Sequence, residues 1–180
     1  EALIYPATEM VLSEEQIRAG IEKIRKEAKK YEKSLREQLK TEEAAGIQGI
    51  VRELTEGLEE GWHVSGRDSF LTYFYPDTVS FLEYFPSDKT ALFLDEPARL
   101  REKGETVEAE FRESMVHRLE KGYLLPGQTS LLFTAKETLA RVQVKHGAML
   151  TGLEQKIAGM VAENRYHIEV KNVNSYQNSF

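Results

Sequence analysis

An apolar run at residues 90–94 ends in two acids, Asp95 and Glu96, and leads directly into a helical pattern that begins at Pro97. A run of this kind predicts a buried strand that ends with two carboxylates at its C-terminal edge. Open α/β sheets bind their ligands at that edge. The sequence therefore predicts an α/β domain with Asp95 and Glu96 as its first candidate site.

Two roles fit this acidic pair. In nucleotide-driven motors, an Asp at this position holds magnesium-bound water and a Glu orients the attacking water. That chemistry also needs a phosphate-binding loop, GxxxxGK followed by Ser or Thr, and the chain contains no such loop. Alternatively, Asp95 or Glu96 caps the following helix, and Pro97 fits its first turn. From the residues alone, the capping interpretation is favoured.

The first third of the chain has the pattern of two helices. Ser13 and Gln16 form a capping box that opens the first helix, and apolar residues then recur every three or four positions. These residues are Ile17, Ile21, Ile24, Ala28, Tyr31 and Leu35. After a break at residues 41–46, a second helical pattern covers residues 47–58 and is ended by Gly61. We expect an antiparallel helical hairpin, preceded by a strand at residues 2–5.

The second half of the chain predicts alternating helices and strands. The helix that begins at Pro97 extends to Gly122, which closes it, and Thr134 with Glu137 forms a second capping box. The elements predicted after the long helix are a strand at 130–133, a helix at 134–141, a strand at 142–144 and a further strand at 166–173. Together with the strand at 90–94, this alternation predicts a mainly parallel sheet.

Seven aromatic residues lie close together in the middle of the chain. They are Phe70, Tyr73, Phe74, Tyr75, Phe81, Tyr84 and Phe85. So dense a cluster usually forms core beneath an irregular loop, but aromatic rings also form surfaces for stacking or for a partner. We expect the core arrangement. Arg67 and Asp68, just before the cluster, form either a local ion pair or part of a docking surface.

Composition limits the possible functions further. The chain has 180 residues, a net charge of −6 and no cysteine, so disulfides, thiolate nucleophiles and cysteine-based zinc sites are excluded. The acidic balance disfavours DNA binding by the chain alone. The four histidines are scattered and predict no metal site, and no apolar run is long enough to span a bilayer. We expect a cytoplasmic protein, and the start at Glu1 indicates a piece of a longer polypeptide.

Four motifs, taken in order, resemble one family. The chain contains YPATE at residues 5–9, a glycine-aromatic turn at 66–75, LEYFPSD at 82–88 and FLDEP at 93–97. Together they resemble the bacterial excision-repair helicase subunit UvrB. The similarity is closer to the UvrB-like module of bacterial transcription-repair coupling factors, and it covers roughly residues 3–145.

This resemblance implies a RecA-like (P-loop-NTPase-like) partial domain with a mainly parallel sheet and a long helical hairpin. Residues 1–145 would correspond to domain 1b of the UvrB-like module, and residues 146–180 to a linker and the start of the next domain. The module has lost its ATP chemistry, so Asp95 and Glu96 would be the remnant of a Walker B strand. It implies no catalytic residue, metal site or cofactor here, since ATP and magnesium belong to the motor domains of the longer protein.

The resemblance also implies partners. The longer protein would be a bacterial ATP-dependent DNA translocase that acts on stalled RNA polymerase and recruits the repair protein UvrA. This chain would contact neighbouring domains of the same polypeptide and would bind neither DNA strongly nor a membrane. Its possible interaction surface is the aromatic turn, with Arg67, Phe70, Tyr73, Phe74 and Tyr75.

One departure from the family pattern weighs against a simple transfer of function. Arg67 and Asp68 stand where the family more often has Ile-Glu, which weakens any expectation that this turn inspects DNA. The alternative function is a working helicase half-domain, in which Glu96 serves ATP hydrolysis and sequence upstream of Glu1 supplies the phosphate loop.

Overall fold

The computed structural model describes residues 10–61, 64–153 and 160–169. Its helices and strands are α1 (Glu14–Glu37), α2 (Thr41–Glu59), α3 (Leu71–Phe74), β1 (Leu92–Asp95), α4 (Pro97–Glu120), α5 (Ala135–Gln143) and β2 (Gly147–Leu150). Three 3₁₀ turns lie at Arg67–Phe70, Phe81–Tyr84 and Pro126–Ser130. The described chain is mixed α/β and mostly helical, with one pair of parallel strands.

The predicted helical hairpin is confirmed. The Ser13 hydroxyl accepts a hydrogen bond from the Gln16 N–H, and the Gln16 side chain accepts one from the Ser13 N–H, as a capping box requires. Across the hairpin, Arg25 pairs with Glu59 at 3.0 Å. This contact joins the middle of α1 to the end of α2, so the two helices run antiparallel.

The break between the helices lies earlier than predicted. It covers residues 38–40 instead of 41–46. Glu42 and Glu43 belong to the first turn of α2, where carboxylates interact favourably with the positive end of the helix dipole. The physical reason for the shift is therefore the charge preference of a helix N-terminus.

The connection between α1 and α2 closes with a Schellman motif. The Lys40 N–H donates to the Leu35 carbonyl at 2.9 Å, and the Leu39 N–H donates to the Arg36 carbonyl at 3.0 Å. This motif needs one residue in the left-handed conformation, usually glycine. Leu39 occupies that position with φ 63°, and its side chain is 88% exposed. The turn thus holds a leucine in solvent in a conformation that L-residues disfavour.

The hydrophobic core lies between α1, α2 and the aromatic turn. Its buried residues are Met10, Ile21, Ile24, Ala28, Leu35, Ala44, Ile47, Val51, Leu54, Leu58, Phe70, Tyr73, Phe74 and Leu125. The ring of Phe74 lies directly against Gly20, where a Cβ would overlap it. Burying a large apolar side chain contributes roughly 1.5–3 kcal/mol, so this cluster supplies most of the stabilisation visible in the described residues.

Within the described ranges, the parallel sheet is confirmed as a single pair of strands. Leu92 of β1 lies opposite Gly147 of β2, and Asp95 lies opposite Leu150. The prediction that β1 is buried is wrong, because the Phe93 side chain is 72% exposed. Burial alternates along β1, with Leu92 and Leu94 half-buried on one face and Phe93 and Asp95 exposed on the other. The larger RecA-like sheet stays a prediction.

Two predicted strands are wrong. Residues 126–130 form a 3₁₀ turn, in which the Thr129 hydroxyl donates to the Pro126 carbonyl at 2.8 Å. Ser130 is the last residue of this turn, and residues 131–133 form no strand. Residues 142 and 143 end α5 and Val144 is its C-cap, and β2 starts later, at Gly147, where the backbone of Leu92 leaves no room for a Cβ.

The two terminal strand predictions have different outcomes. The strand at residues 2–5 lies outside the described residues. Of the strand predicted at 166–173, the described part, 166–169, is not a strand.

The long helix after the acidic pair is confirmed at both ends. Pro97 lies in the first turn of α4, and Gly122 follows the helix with φ 67° and donates its N–H to the Leu119 carbonyl at 3.0 Å. The Tyr31 hydroxyl donates to the same carbonyl at 2.8 Å, which ties the end of α4 to the hairpin. Among the described residues of α4, α5 and the two strands, Pro97 alone is buried.

We expect Leu39→Gly to stabilise the chain by about 1 kcal/mol, because glycine adopts the left-handed conformation without the steric cost that a Cβ imposes. Urea unfolding followed by circular dichroism measures the change. Leu39→Ala removes the same exposed side chain but keeps the Cβ, so its stability should remain close to that of the wild type. Equal stability of the two variants would contradict the assignment of strain to this turn.

Candidate functional site

The acidic pair lies where the sequence placed it, at the C-terminal edge of β1. Asp95 is the last residue of the strand and is exposed to solvent. The Glu96 N–H donates to the Leu150 carbonyl at 2.8 Å, so the ladder between the strands continues through Glu96.

Glu96 joins the ends of the two strands. Its backbone is left-handed, with φ 46° and ψ 60°, which is uncommon for a residue with a side chain. Its Oε1 accepts a hydrogen bond from the Gly152 N–H at 2.7 Å. A charged acceptor makes such a bond stronger than a neutral one. The carboxylate therefore fixes the turn that follows β2.

The helix-capping interpretation is wrong as far as the side chains are concerned. Glu96 occupies the N-cap position of α4, but its side chain makes no capping hydrogen bond to the first turn. The reason is that the same carboxylate binds Gly152. Asp95 lies one residue earlier, within the strand.

The described residues hold no group of three or more His, Cys, Asp or Glu side chains placed to bind a metal ion. At the strand edge, the exposed carboxylate of Asp95 is the group placed to accept a ligand, because Glu96 is engaged by backbone.

The first part of the aromatic cluster belongs to the core, as expected. Phe70, Tyr73 and Phe74 are buried, so they cannot serve as a partner surface in this fold. The Tyr73 hydroxyl donates to the Glu27 carboxylate, and burial together with this bond raises the pKa of Tyr73 above its ordinary value. Tyr75 is half-buried and donates its hydroxyl to the Val11 carbonyl at 2.8 Å.

The other members of the suggested surface are less enclosed. Arg67 is half-buried at the start of the aromatic turn, and Asp68 is exposed beside it. Gln128, which is buried, donates to the Ser69 hydroxyl at 2.7 Å and accepts from the Leu125 N–H at 2.7 Å. These bonds fix the turn against the segment that follows α4.

The second part of the cluster contradicts the core prediction. Phe81 and Tyr84 are 73% and 75% exposed. The rings of Phe81 and Phe85 meet edge to face, with centroids 5.2 Å apart. Phe81, Tyr84 and Phe85 lie outside the buried core cluster, and Phe81 packs on the other two rings.

Arg141 of α5 and Lys145, just after the helix, contact this exposed turn. Arg141 pairs with Glu83 at 3.1 Å, and the Lys145 ammonium donates to the Phe85 carbonyl at 2.7 Å and to the Ser87 hydroxyl at 3.2 Å. Sequence reasoning missed this anchoring because the partners lie about sixty positions apart. These contacts therefore hold the backbone of the segment that carries the exposed rings.

The open face of the sheet is a further surface that the sequence did not predict. The register and the alternation of side chains place Phe93, Ala148 and Leu150 on one exposed face, with Asp95 at its C-terminal edge. Parallel sheets are normally covered on both faces. An apolar face of this kind is typical of a surface that another element covers.

Comparison of the chain with protein-family models and with curated proteins returns no match. The resemblance to UvrB-like modules thus depends on the four motifs in the sequence. None of the described helices is long and apolar enough to cross a membrane.

We expect Glu96→Ala to cost about 1 kcal/mol in the stability of the sheet, because the Gly152 N–H loses its acceptor. Glu96→Gln keeps an acceptor oxygen and should cost less. Hydrogen exchange at Gly152 and urea unfolding measure both effects.

Asp95→Ala is the matched control and should change stability by less than about 0.5 kcal/mol, because Asp95 is exposed and does not cap α4. A larger loss for Asp95→Ala than for Glu96→Ala would restore the capping interpretation.

Proposed function

We propose that this chain is a non-catalytic structural and interaction module of a bacterial transcription-repair coupling factor. It holds neighbouring domains of the longer protein in place and supports recruitment of UvrA to stalled RNA polymerase. The longer protein is an ATP-dependent DNA translocase, and ATP and magnesium act in its motor domains. The chain binds DNA weakly or not at all by itself and acts in the bacterial cytoplasm.

The observation that carries this proposal is the hydrogen bond from the Gly152 N–H to Glu96. In a working nucleotide site, the Glu at this position must be free to orient the attacking water. Here its carboxylate is bound by backbone at the end of the sheet, and its own backbone is held left-handed. An acidic pair of the Walker B type whose Glu binds backbone at the end of the sheet fits a structural domain that has evolved from an ATPase domain.

The open sheet face supports the second half of the proposal. Phe93, Ala148 and Leu150 are exposed together beside Asp95, and a neighbouring domain that covers them would bury a sheet face that parallel sheets normally have covered. The exposed rings of Phe81 and Tyr84 give a further fixed apolar surface. Both features fit a module whose role is to contact its neighbours.

The alternative is a working helicase half-domain. The observation in its favour is that Asp95 is exposed at the C-terminal edge of β1, where a magnesium-bound water would lie. A GxxxxGK sequence followed by Ser or Thr upstream of Glu1 would favour this alternative over the scaffold.

We expect Glu96→Gln to leave ATP hydrolysis by the longer protein within about twofold of wild type, because this carboxylate has a structural role. A Glu that orients the attacking water should instead lose about a hundredfold or more on this change. Steady-state hydrolysis with and without DNA measures the difference, and a loss of the larger size would establish the helicase alternative.

We expect Phe93→Glu to leave the isolated chain folded, with a stability change within about 0.5 kcal/mol, because the side chain is exposed. In the longer protein the same change should open the covered sheet face to protease and weaken UvrA recruitment. Val116→Glu on α4, which places the same charge at another exposed apolar residue, is the control. Identical behaviour of the two variants in the longer protein would contradict the proposed contact.

A further inference from the structure

The solvent face of α1 is unusually basic for an acidic chain. The helix carries eight Lys and Arg residues against six Glu, although the whole chain has a net charge of −6. Four lysines, Lys26, Lys29, Lys30 and Lys33, are exposed and lie three or four residues apart, so they share one side of the helix. We call these four residues the basic face.

Two acids of α1 that lie near these lysines, Glu27 and Glu32, are bound by other groups. Glu32 accepts from Arg36 at 2.9 Å and from Gln48 at 2.7 Å, and Glu27 accepts from the Tyr73 hydroxyl. Lys33 approaches Glu37 only at 3.8 Å. Within the described part of the chain, Lys26, Lys29 and Lys30 have no carboxylate within 4.0 Å. The basic face is thus available to an external anion.

The same helix ends in the strained and exposed leucine of the Schellman motif. Leu39 adopts φ 63° where glycine would fit without strain, and its side chain is 88% exposed. Folding alone gives no reason for a leucine here, since it costs steric strain and buries nothing. A backbone outlier that presents an apolar side chain favours a binding role. Along the helix axis, Leu39 lies about 20 Å from Lys26.

A short acidic protein segment fits this surface better than a nucleic acid does. The rest of the chain is more acidic than the whole, so a long duplex would meet repulsion beyond the reach of the basic face, about one Debye length. The basic face also contains no aromatic ring on which a base could stack. A helix-length segment contacts α1 alone and avoids that repulsion.

We propose that the basic face and Leu39 bind an acidic amphipathic segment of another protein. Its carboxylates, spaced by one helical turn, pair with Lys26, Lys29, Lys30 and Lys33, and an apolar side chain near its end contacts Leu39. Exposed lysine–carboxylate pairs are individually weak, so the complex forms and dissociates quickly and weakens as salt increases. This inference is independent of what Asp95 and Glu96 do.

A synthetic helical peptide of about 18 residues tests the proposal, because that length spans α1 from Lys26 past Leu39. It carries glutamates three and four residues apart and a leucine near one end. Binding to the folded chain is measured by fluorescence anisotropy at low and at physiological salt. The same peptide with glutamine for every glutamate, and a short DNA duplex, are the comparison ligands.

Two sets of variants locate the contact. Lys26→Gln, Lys29→Gln and Lys30→Gln together should weaken peptide binding about tenfold. Lys103→Gln, Lys121→Gln and Lys136→Gln make the same charge change elsewhere on exposed positions and should weaken it less than about twofold.

Leu39→Gly and Leu39→Ala should each weaken binding about threefold through loss of the apolar contact. Because Leu39→Gly stabilises the fold, its weaker binding cannot come from unfolding. Absence of binding to the wild type, equal loss in the two lysine triples, or full binding by the Leu39 variants would overturn the proposal. Duplex DNA that binds as tightly as the acidic peptide would overturn the choice of a protein partner.

Discussion

The contact between α1 and α2 is the interaction on which the rest of the described structure depends. The aromatic turn packs onto this hairpin through Phe74, which needs Gly20 to approach, and through Tyr73, which bonds to Glu27. The end of α4 is then tied to the hairpin by Tyr31. Helix α4 follows β1 directly and connects the small sheet to the hairpin. The position of the sheet therefore depends on the hairpin, although no residue of the sheet belongs to the buried core.

The sequence was most informative where local chemistry decides the structure. The capping boxes at Ser13 and Thr134 and the glycine after α4 each act within a few residues, and each helix boundary they mark is confirmed. Strands need distant partners, and two of the strands predicted from the sequence are wrong. The apolar residues at 130–133 and 142–144 resemble strands by composition, but a 3₁₀ turn precedes the first and a capped helix includes most of the second.

The candidate site shows the same limit. The sequence placed Asp95 and Glu96 at the edge of a strand correctly, because an apolar run followed by Pro97 fixes where the strand ends and the helix starts. It did not predict that Glu96 binds Gly152, since that contact spans 56 positions. The aromatic residues differ in burial for a similar reason. Those packed against the hairpin are buried, and those outside its core cluster are exposed.

The long separation of β1 and β2 along the sequence affects the order in which the chain folds. The α1–α2 contacts close after a three-residue connection, and local contacts of this kind form early because little chain entropy is lost. The parallel pair joins residues that are 55 positions apart, such as Leu92 and Gly147. During synthesis the hairpin can therefore assemble as soon as it emerges, while β1 waits unpaired until α5 and β2 have been made.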